Sequence, residues 1–592
     1  MNPAVMVATV WRVTGVAFSL LVLLFAALLY GATPDQVGFL NSQVGDLTIG
    51  FAVRTDDLTV LMLAVVGVIA TCVQVYSLGY LHQRPASYHA LVTLFTAAMV
   101  TVVVSDSLFF LLIGWEVMGA CSYLLIGHYW ERRDARSGAV KAFLITRFAD
   151  VGFLFGIFVL GVAAETFRIS EIDPARMSGA ALTTGTLLLL VGVVGKSAQV
   201  PLQTWLPDAM PGPSPVSALI HAATMVAAGV FLIARMYDVF SASATTLTVL
   251  AIVACVTMLF AALCASAAVE VKRVLAWSTV SQLAIMFAAL SLGTEDGRHA
   301  ALFHLVTHAA FKGLLFLCAG VLLHQVGSAA LVVLRRYTRR GKLRKTLQVT
   351  FLTMTAGLAA LAGVPGFAGF FSKDAAIEAA WEKAGDGSAV GWLVLISICL
   401  TAVLTAFYCL RLWLWTFFRT PALAGGIGAF EDGDAAADLD EPDTSKLRDA
   451  PWIMLAPLVL LAIASIALGY ADGLHLNWVI GLISTALVLL GALPAYSLWR
   501  RGADPRPVVF EREFGVDPAY HALVVVPVRW LAKLTVAGDR DVIGAYVRAI
   551  GRTGMLASQG FRRLQTGNVQ TYLTAAVIGV VALAVLAGVI SS

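Results

Sequence analysis

Residues 181–205 read ALTTGTLLLLVGVVGKSAQVPLQTW. The first fourteen carry no charge, as a membrane helix requires. A Lys, a Ser, two Gln and a Pro then follow within a few residues. In hydrocarbon every backbone N–H and C=O must be satisfied internally, so a span is interrupted only where it is buried in protein or lines a cavity. The stretch therefore predicts a bundle of membrane helices with a polar interior.

The rest of the chain agrees. Its 592 residues are 59% hydrophobic and 13% charged, with mean hydropathy +0.85, whereas a soluble domain is roughly one quarter charged. The apolar runs are long and continuous, not the ~10-residue alternating segments of a β-barrel. With about 20 apolar residues needed per crossing, fifteen transmembrane helices are expected in an all-α polytopic membrane protein. They lie near 5–31, 58–80, 89–104, 107–127, 139–163, 181–200, 214–236, 244–268, 273–293, 299–324, 346–370, 390–418, 451–471, 477–499 and 570–590. The first run is too long for a signal peptide, and 30–34 is a poor cleavage site. The net charge of +4 gives no reason to expect nucleic acid as a partner. Seven scattered Cys form no CxxC or Cys/His cluster, and no phosphate-cradling Gly loop is present. No nucleotide, flavin or metal redox centre is expected in this chain.

Lys and Arg concentrate in the loops after even-numbered spans: Arg84; Arg132, Arg133 and Arg136; Lys272 and Arg273; RRYTRRGKLRK at 335–345; and Arg500, Arg501 and Arg506. The positive-inside rule makes those loops cytoplasmic. The first residues then lie inside and the last outside. The acidic stretch EDGDAAADLDEPD, 431–443, reads as a solvated inside loop.

Two spans are interrupted, the sixth at Lys196–Pro201 and the eleventh by GVPGFAGFFSKD, 363–374. They are five spans apart and so run in opposite directions, which suggests two inverted five-helix repeats, each with a broken fourth helix. The expected divisions are 1–88, N-terminal helices; 89–240 and 241–420, the repeats; 421–514, two further helices with cytoplasmic loops; and 515–592, an amphipathic helix and a final span. In 515–566, Val542, Ile543, Tyr546, Ala549 and Ile550 recur at helical spacing. Arg540, Arg548, Arg552, Arg562 and Arg563 make the helix basic, suited to lipid headgroups or to partner proteins.

A titratable residue at membrane depth is expensive and marks function by default. Glu116 lies mid-span. Arg147 and Asp150 are three apart on one helix face. Lys196 adjoins the first break and His221 follows it. His304, His308 and Lys312 recur at i+4 steps on one stripe, and Lys373 and Asp374 close the series at the second break. Each has a plainer reading: His221 as an interhelical polar contact, Arg147–Asp150 as a structural pair, Glu116 as a packing contact. Three polar residues on one stripe fit a water-lined path better. Burial disfavours a lone ammonium and a carboxylate restores it, so a Lys facing a movable acid is a two-state proton site. The expectation is that Glu116 pairs with Lys196 and that protons pass through His304, His308 and Lys312 to Lys373.

The strings GWEVMGACSYLLIGHYW, KAFLITRFADVGF, GKSAQVPLQTWLPDAMPGPSPVSALIHAATMVAAGVFLIAR, FHLVTHAAFKGLLFL and GVPGFAGFFSKDAAI closely resemble the antiporter-like membrane subunits of respiratory complex I. The resemblance covers nearly all of the chain after about residue 50. The FSKD break, the basic amphipathic helix and the last span resemble the L branch.

The resemblance implies a proton-pumping module of NADH-quinone oxidoreductase, a translocase of the respiratory chain in the bacterial inner membrane. NADH, FMN, iron–sulfur clusters and quinone would sit on partner subunits. The implied partners are other membrane-arm subunits, above all the antiporter-like neighbours along the lateral helix, together with lipids. By motif the family's key Glu falls on Glu116, its central Lys on Lys196, its bridging His on His221, its connecting residues on His304, His308 and Lys312, and its exit pair on Lys373 and Asp374. That family usually has sixteen spans with both termini outside; the span without a counterpart here is the first. The alternatives are a multisubunit cation/proton antiporter subunit, a structural clamp of the membrane arm, and a membrane hydrogenase or inorganic-carbon-uptake subunit.

Overall fold

The computed structural model describes residues 3–44, 47–222, 224–339, 342–419, 447–471 and 477–591. The acidic stretch 431–443 lies outside them. The chain forms two compact units, Met1–Phe514 and Gly515–Ser592.

The first unit begins with helix α1 (Pro3–Leu29) and an antiparallel hairpin of β1 (Asp35–Val44) and β2 (Leu47–Thr55). Next come α2 (Asp57–Tyr80), α3 (Pro85–Val104), α4 (Leu108–Ile126), α5 (Arg133–Ala163) and α6 (Gly179–Lys196). Four short helices follow: α7 (Trp205–Asp208), α8 (Ser214–Ala222), α9 (Ala228–Arg235) and α10 (Tyr237–Ser241). Long helices resume with α11 (Ala244–Ala267), α12 (Val271–Leu290) and α13 (Glu295–Val326). Then come α14 (Leu331–Arg339), α15 (Lys342–Thr346), α16 (Gln348–Ala362), α17 (Ala368–Gly385) and α18 (Ala389–Phe417). The unit closes with α19 (Trp452–Ala467), α20 (Trp478–Arg500) and α21 (Val508–Glu511). The axis of the unit is α13, packed against α2, α8, α12, α16, α17 and α19. It and α12 are the most completely buried spans.

The described residues of the second unit are helical apart from a short link at 565–568. Helices α22 (Val516–Tyr520), α23 (Val526–Ala537) and α24 (Gly544–Leu564) are joined by π-helical turns, and α25 (Val569–Ser591) follows.

Among the described residues fourteen helical stretches are long and apolar enough to cross a membrane, including α25 and Glu513–Leu564, which is kinked at Phe514 (φ +57°). Thirteen correspond to expected spans, and the Glu513–Leu564 helix is the stretch read above as amphipathic. The expected spans 214–236 and 346–370 are each two helices, which is why they drop from that count. The break at 363–367 was anticipated. The one within 214–236 was not.

There the Thr224 hydroxyl donates to the Leu219 carbonyl (2.5 Å), and the Val226 N–H reaches back to Ile220 (3.5 Å). The Val226 carbonyl is left to accept from the Ser197 hydroxyl (2.8 Å). No Pro or Gly occurs between Ala222 and Ala228, so the pattern looks continuous. At the anticipated first break, side chains also replace the ladder: Trp205 Nε1 donates to the Gly195 carbonyl (2.9 Å), and Thr257 Oγ1 accepts from the Val200 N–H (3.0 Å). At the second break, Gly363 ends α16 at φ +82°, a left-handed conformation that costs other residues roughly 1–2 kcal/mol.

The hairpin is a further addition to the expected all-helical chain. Val53 bridges to Ser105, Ser107 bridges to Arg168, and Phe39, Phe51 and Phe110 cluster at 5.4–5.9 Å. The strands therefore cover the ends of α3, α4 and α5 on the face opposite the basic loops. Buried Arg235, ending α9, pairs with Asp56 at the start of α2 (2.5 Å).

Candidate functional site

Every candidate residue of the sequence lies in the first unit, on six helices. α4 carries Glu116, α5 carries Arg147 and Asp150, and α6 ends on Lys196. α8 carries His221, α13 carries His304, His308 and Lys312, and α17 carries Lys373 and Asp374.

The expected Glu116–Lys196 pair is replaced by a chain of three pairs. Glu116 pairs with Arg147. Arg147 lies 3.8 Å from Asp150, and Asp150 lies 3.4 Å from Lys196 Nζ. The reason is spacing: α5 runs between α4 and α6 and contacts both, and its Arg and Asp are one helical turn apart. Glu116 and Arg147 are about a third exposed (32% and 27%), whereas Asp150 and Lys196 are buried (5% and 0%). The chain thus runs from the surface of the bundle to its interior.

Trp115 holds its inner end. Its indole N–H donates to Asp150 Oδ1 (2.7 Å), and its carbonyl accepts from Lys196 Nζ (3.2 Å). Its ring stacks on Phe153, centroids 4.7 Å apart. Gly119 makes room for the cations: a Cβ there would lie 2.5 Å from Lys196 Nζ and 3.2 Å from Arg147 Nη2.

His221 lies against Phe316 of α13, ring centroids 4.5 Å apart. That is one turn beyond Lys312. Lys312 Nζ donates to the Ser278 hydroxyl and to the Leu275 carbonyl (3.3 Å) on α12. His304 and His308 follow along the same stripe, centroids 6.2 Å apart. His304 Nδ1 is 2.9 Å from the Ser372 hydroxyl, which also accepts from Thr307. Ser372 adjoins Lys373, whose Nζ donates to the Leu361 carbonyl across the second break.

Through Ser372 it is the His304 end of the stripe that is linked to the segment of Lys373, whereas the expected order put Lys312 last before Lys373. Lys312, His304 and His308 are fully buried. Neither ring nitrogen of His221 nor Nε2 of His304 has a hydrogen-bond partner among the described residues. Buried polar atoms in native proteins nearly always have such a partner in protein or water.

Four contributors were not singled out as site residues in the sequence. Trp115 and Ser372 each adjoin a candidate, and that adjacency was the available signal. Ser278 gave none. Lys272 counted only as a loop charge, yet it is buried and donates to the carbonyls of Met210 (2.5 Å) and Gly212 (2.8 Å).

Among the described residues no group of three or more His, Cys, Asp or Glu could hold a metal ion. Residues 105–405 match the family described as NADH:quinone oxidoreductase/Mrp antiporter, transmembrane, and residues 42–90 match the complex I chain 5 N-terminus. The NADH-quinone oxidoreductase subunit L of Mycobacterium tuberculosis is 34% identical, over 91% of this chain and 86% of that protein. The same-named subunit of Neisseria meningitidis is 32% identical, over 91% and 87%. The F(420)H(2) dehydrogenase subunit L of Methanosarcina mazei is 34% identical, over 90% and 87%.

The fold is shared with a solved structure, the Mrp complex from Dietzia, at TM-score 0.68 and 24% identity, covering 99% of this chain and 61% of that one. It is also shared with the archaeal membrane-bound sulfane sulfur reductase at TM-score 0.67 and 22% identity, covering 83% and 96%. By these matches and the string of intramembrane charges, the chain belongs to the NADH:quinone oxidoreductase/Mrp antiporter family of multi-pass membrane proteins, in the group of NADH-quinone oxidoreductase subunit L.

Proposed function

We propose that the chain moves protons across the bacterial inner membrane as a pump subunit of NADH:quinone oxidoreductase, through the line Glu116–Arg147–Asp150–Lys196, His221, Lys312–His308–His304 and Lys373–Asp374. The observation that carries this is the Asp150–Lys196 contact at 3.4 Å in a fully buried setting. Charge interactions strengthen several-fold in low dielectric. A buried ammonium keeps its proton while a carboxylate faces it and releases it when that carboxylate turns away. Arg147 is the group for which Asp150 would turn, since it sits between Asp150 and Glu116.

Protons leaving Lys196 reach the α13 stripe by His221. The unpartnered imidazole nitrogens of His221 and His304 support water along that stretch. Ser372 hands on to Lys373, beside the second break. The two inverted repeats, 89–240 and 241–420, are the frame for two such Lys sites.

The work that drives the cycle comes from quinone reduction in partner subunits, which hold NADH, FMN and the iron–sulfur clusters. This chain contributes no redox group. The second unit, Gly515–Ser592, is the lateral element that meets neighbouring antiporter-like subunits and lipid.

A cation/proton antiporter subunit is the second reading, favoured by the fold match to the Mrp complex. A membrane-arm clamp without pumping is the third. Lys196→Ala and Lys373→Ala, each in a fully assembled complex, separate them. Pumping per NADH oxidised is expected to fall at least tenfold in both. Unchanged pumping in both sinks the relay. Co-purification with iron–sulfur and flavin subunits, and not only small antiporter subunits, excludes the second reading.

A further inference from the structure

A cavity of about 730 Å³ opens beside the helix ends that carry the basic loops. Its walls come from the end of α2, the α4–α5 turn, the segment after α7, the start of α12 and the end of α13. All of these lie in or beside loops that follow even-numbered spans, the cytoplasmic side by the positive-inside rule. Asp134, Asp208 and Glu270 line it with Arg132, Lys141 and Arg273. Ion pairs join Arg132 to Asp134 (2.6 Å) and Lys141 to Asp208 (2.6 Å). Of the charged residues described there, Lys272 alone is buried, 5% exposed.

Lys272 is held in place from two sides. Its Nζ donates to Met210 and Gly212, in the segment that follows the Lys196 break. Its helix start is strapped to the chain after α13 by Val271 N–H to Ala329 (3.0 Å) and Leu331 N–H to Val269 (2.9 Å). From Lys272, α12 climbs roughly 9 Å into the membrane to Ser278, at 1.5 Å per residue. The Ser278 hydroxyl and the Leu275 carbonyl are the groups that Lys312 bonds. One helix therefore joins the cavity to the middle of the relay, with an ammonium at its solvent end and bonds to another ammonium inside.

We propose that this cavity is the cytoplasmic proton-uptake vestibule and that Lys272, at the cavity end of α12, takes up the protons delivered to Lys312. The carboxylates of the wall concentrate cations at its mouth. The proton balance is simple: Lys272 loses a proton inward and regains one from water in the cavity.

This rests on the pumping reading above, and the test keeps the two apart. In inverted vesicles containing the full complex, Lys272→Cys is expected to lower NADH-driven pumping at least tenfold per NADH oxidised. Aminoethylation with 2-bromoethylamine rebuilds a lysine-like ammonium and is expected to restore at least a third of it. Neutral alkylation with iodoacetamide is expected to restore none. The unaltered chain, whose seven Cys are buried or half-buried, is the control.

Ser328→Cys, on the cavity wall, gives a second readout that does not depend on the Lys272 variant assembling. A bulky, membrane-impermeant thiol reagent added on the cytoplasmic side is expected to lower its pumping several-fold against the same vesicles before treatment. Wild-type pumping in Lys272→Cys, equal restoration by the neutral reagent, full modification of Ser328→Cys without effect, or failure of the reagents to reach these positions each overturns the proposal. If Lys196→Ala abolishes pumping while those results hold, only the vestibule is wrong. If Lys196→Ala and Lys373→Ala both pump normally, the relay itself is wrong.

Discussion

At the scale of residues, Asp150 is the pivot of the proposed relay. It accepts from Trp115, faces Lys196 and lies within reach of Arg147. Removing one member of a buried ion pair leaves the other charge uncompensated, at a cost of about 3–5 kcal/mol. Asp150→Asn keeps the shape and removes the charge. Its expected outcome is an assembled complex that oxidises NADH but pumps at least tenfold less, read as dye quenching per NADH consumed. Normal pumping would mean that Lys196 uses another counter-charge. The same acid could be found in the sequence, but its partner could not. Glu116 and Asp150 are both carboxylates near Lys196 in the span order, and only the placement of α5 between α4 and α6 tells them apart.

Helix interruptions are the feature of interest at the scale of elements. Two were legible because Pro, Gly and clustered polar residues mark them. The third, between α8 and α9, was not, because small apolar residues fill it and Thr224 does the unwinding. It is tied to the first break by the Ser197 hydroxyl on the Val226 carbonyl, 2.8 Å. Both groups are buried, so losing the donor leaves a buried acceptor unpaired, worth roughly 1–3 kcal/mol. Ser197→Ala is therefore expected to lower the thermal unfolding midpoint of this subunit in the purified complex by several degrees. Pumping is also expected to fall, because Lys196 precedes the hydroxyl by one residue. An unchanged midpoint and unchanged pumping would show that the two breaks stand independently. In the other expected repeat, the helix at the corresponding position is α18, continuous over 29 residues, so the proposed inverted symmetry ends there.

For the whole molecule, the two units differ in what supports them. Among the described residues the contiguous hydrophobic core runs from Val22 to Trp499. Among the described residues of Gly515–Ser592 no helix has a buried residue, and apolar side chains such as Leu523, Ile550 and Ile590 are more than 70% exposed. Contiguous exposed apolar surface needs lipid or a partner to cover it. A chain lacking 515–592 is expected to insert and resist proteolysis as the full chain does, but to be lost from the complex on a native gel. Retention at the full level would remove the lateral element from assembly.

Sequence alone settled the polytopic helical class, the two marked breaks and the family, and it picked out Asp150, Lys196, His221, His304, His308, Lys312, Lys373 and Asp374, which the structure buries, because each is a local signal: apolar length, helix-breaking residues, charges where hydrocarbon should be. The tertiary structure decided which carboxylate meets Lys196, which end of the α13 stripe bonds Ser372 beside Lys373, where α8 gives way to α9, and that Lys272 is an interior group and not a loop charge. Those depend on which helix packs between which others. Sequence spacing measures distance along one helix only, whereas proton transfer depends on distances between helices.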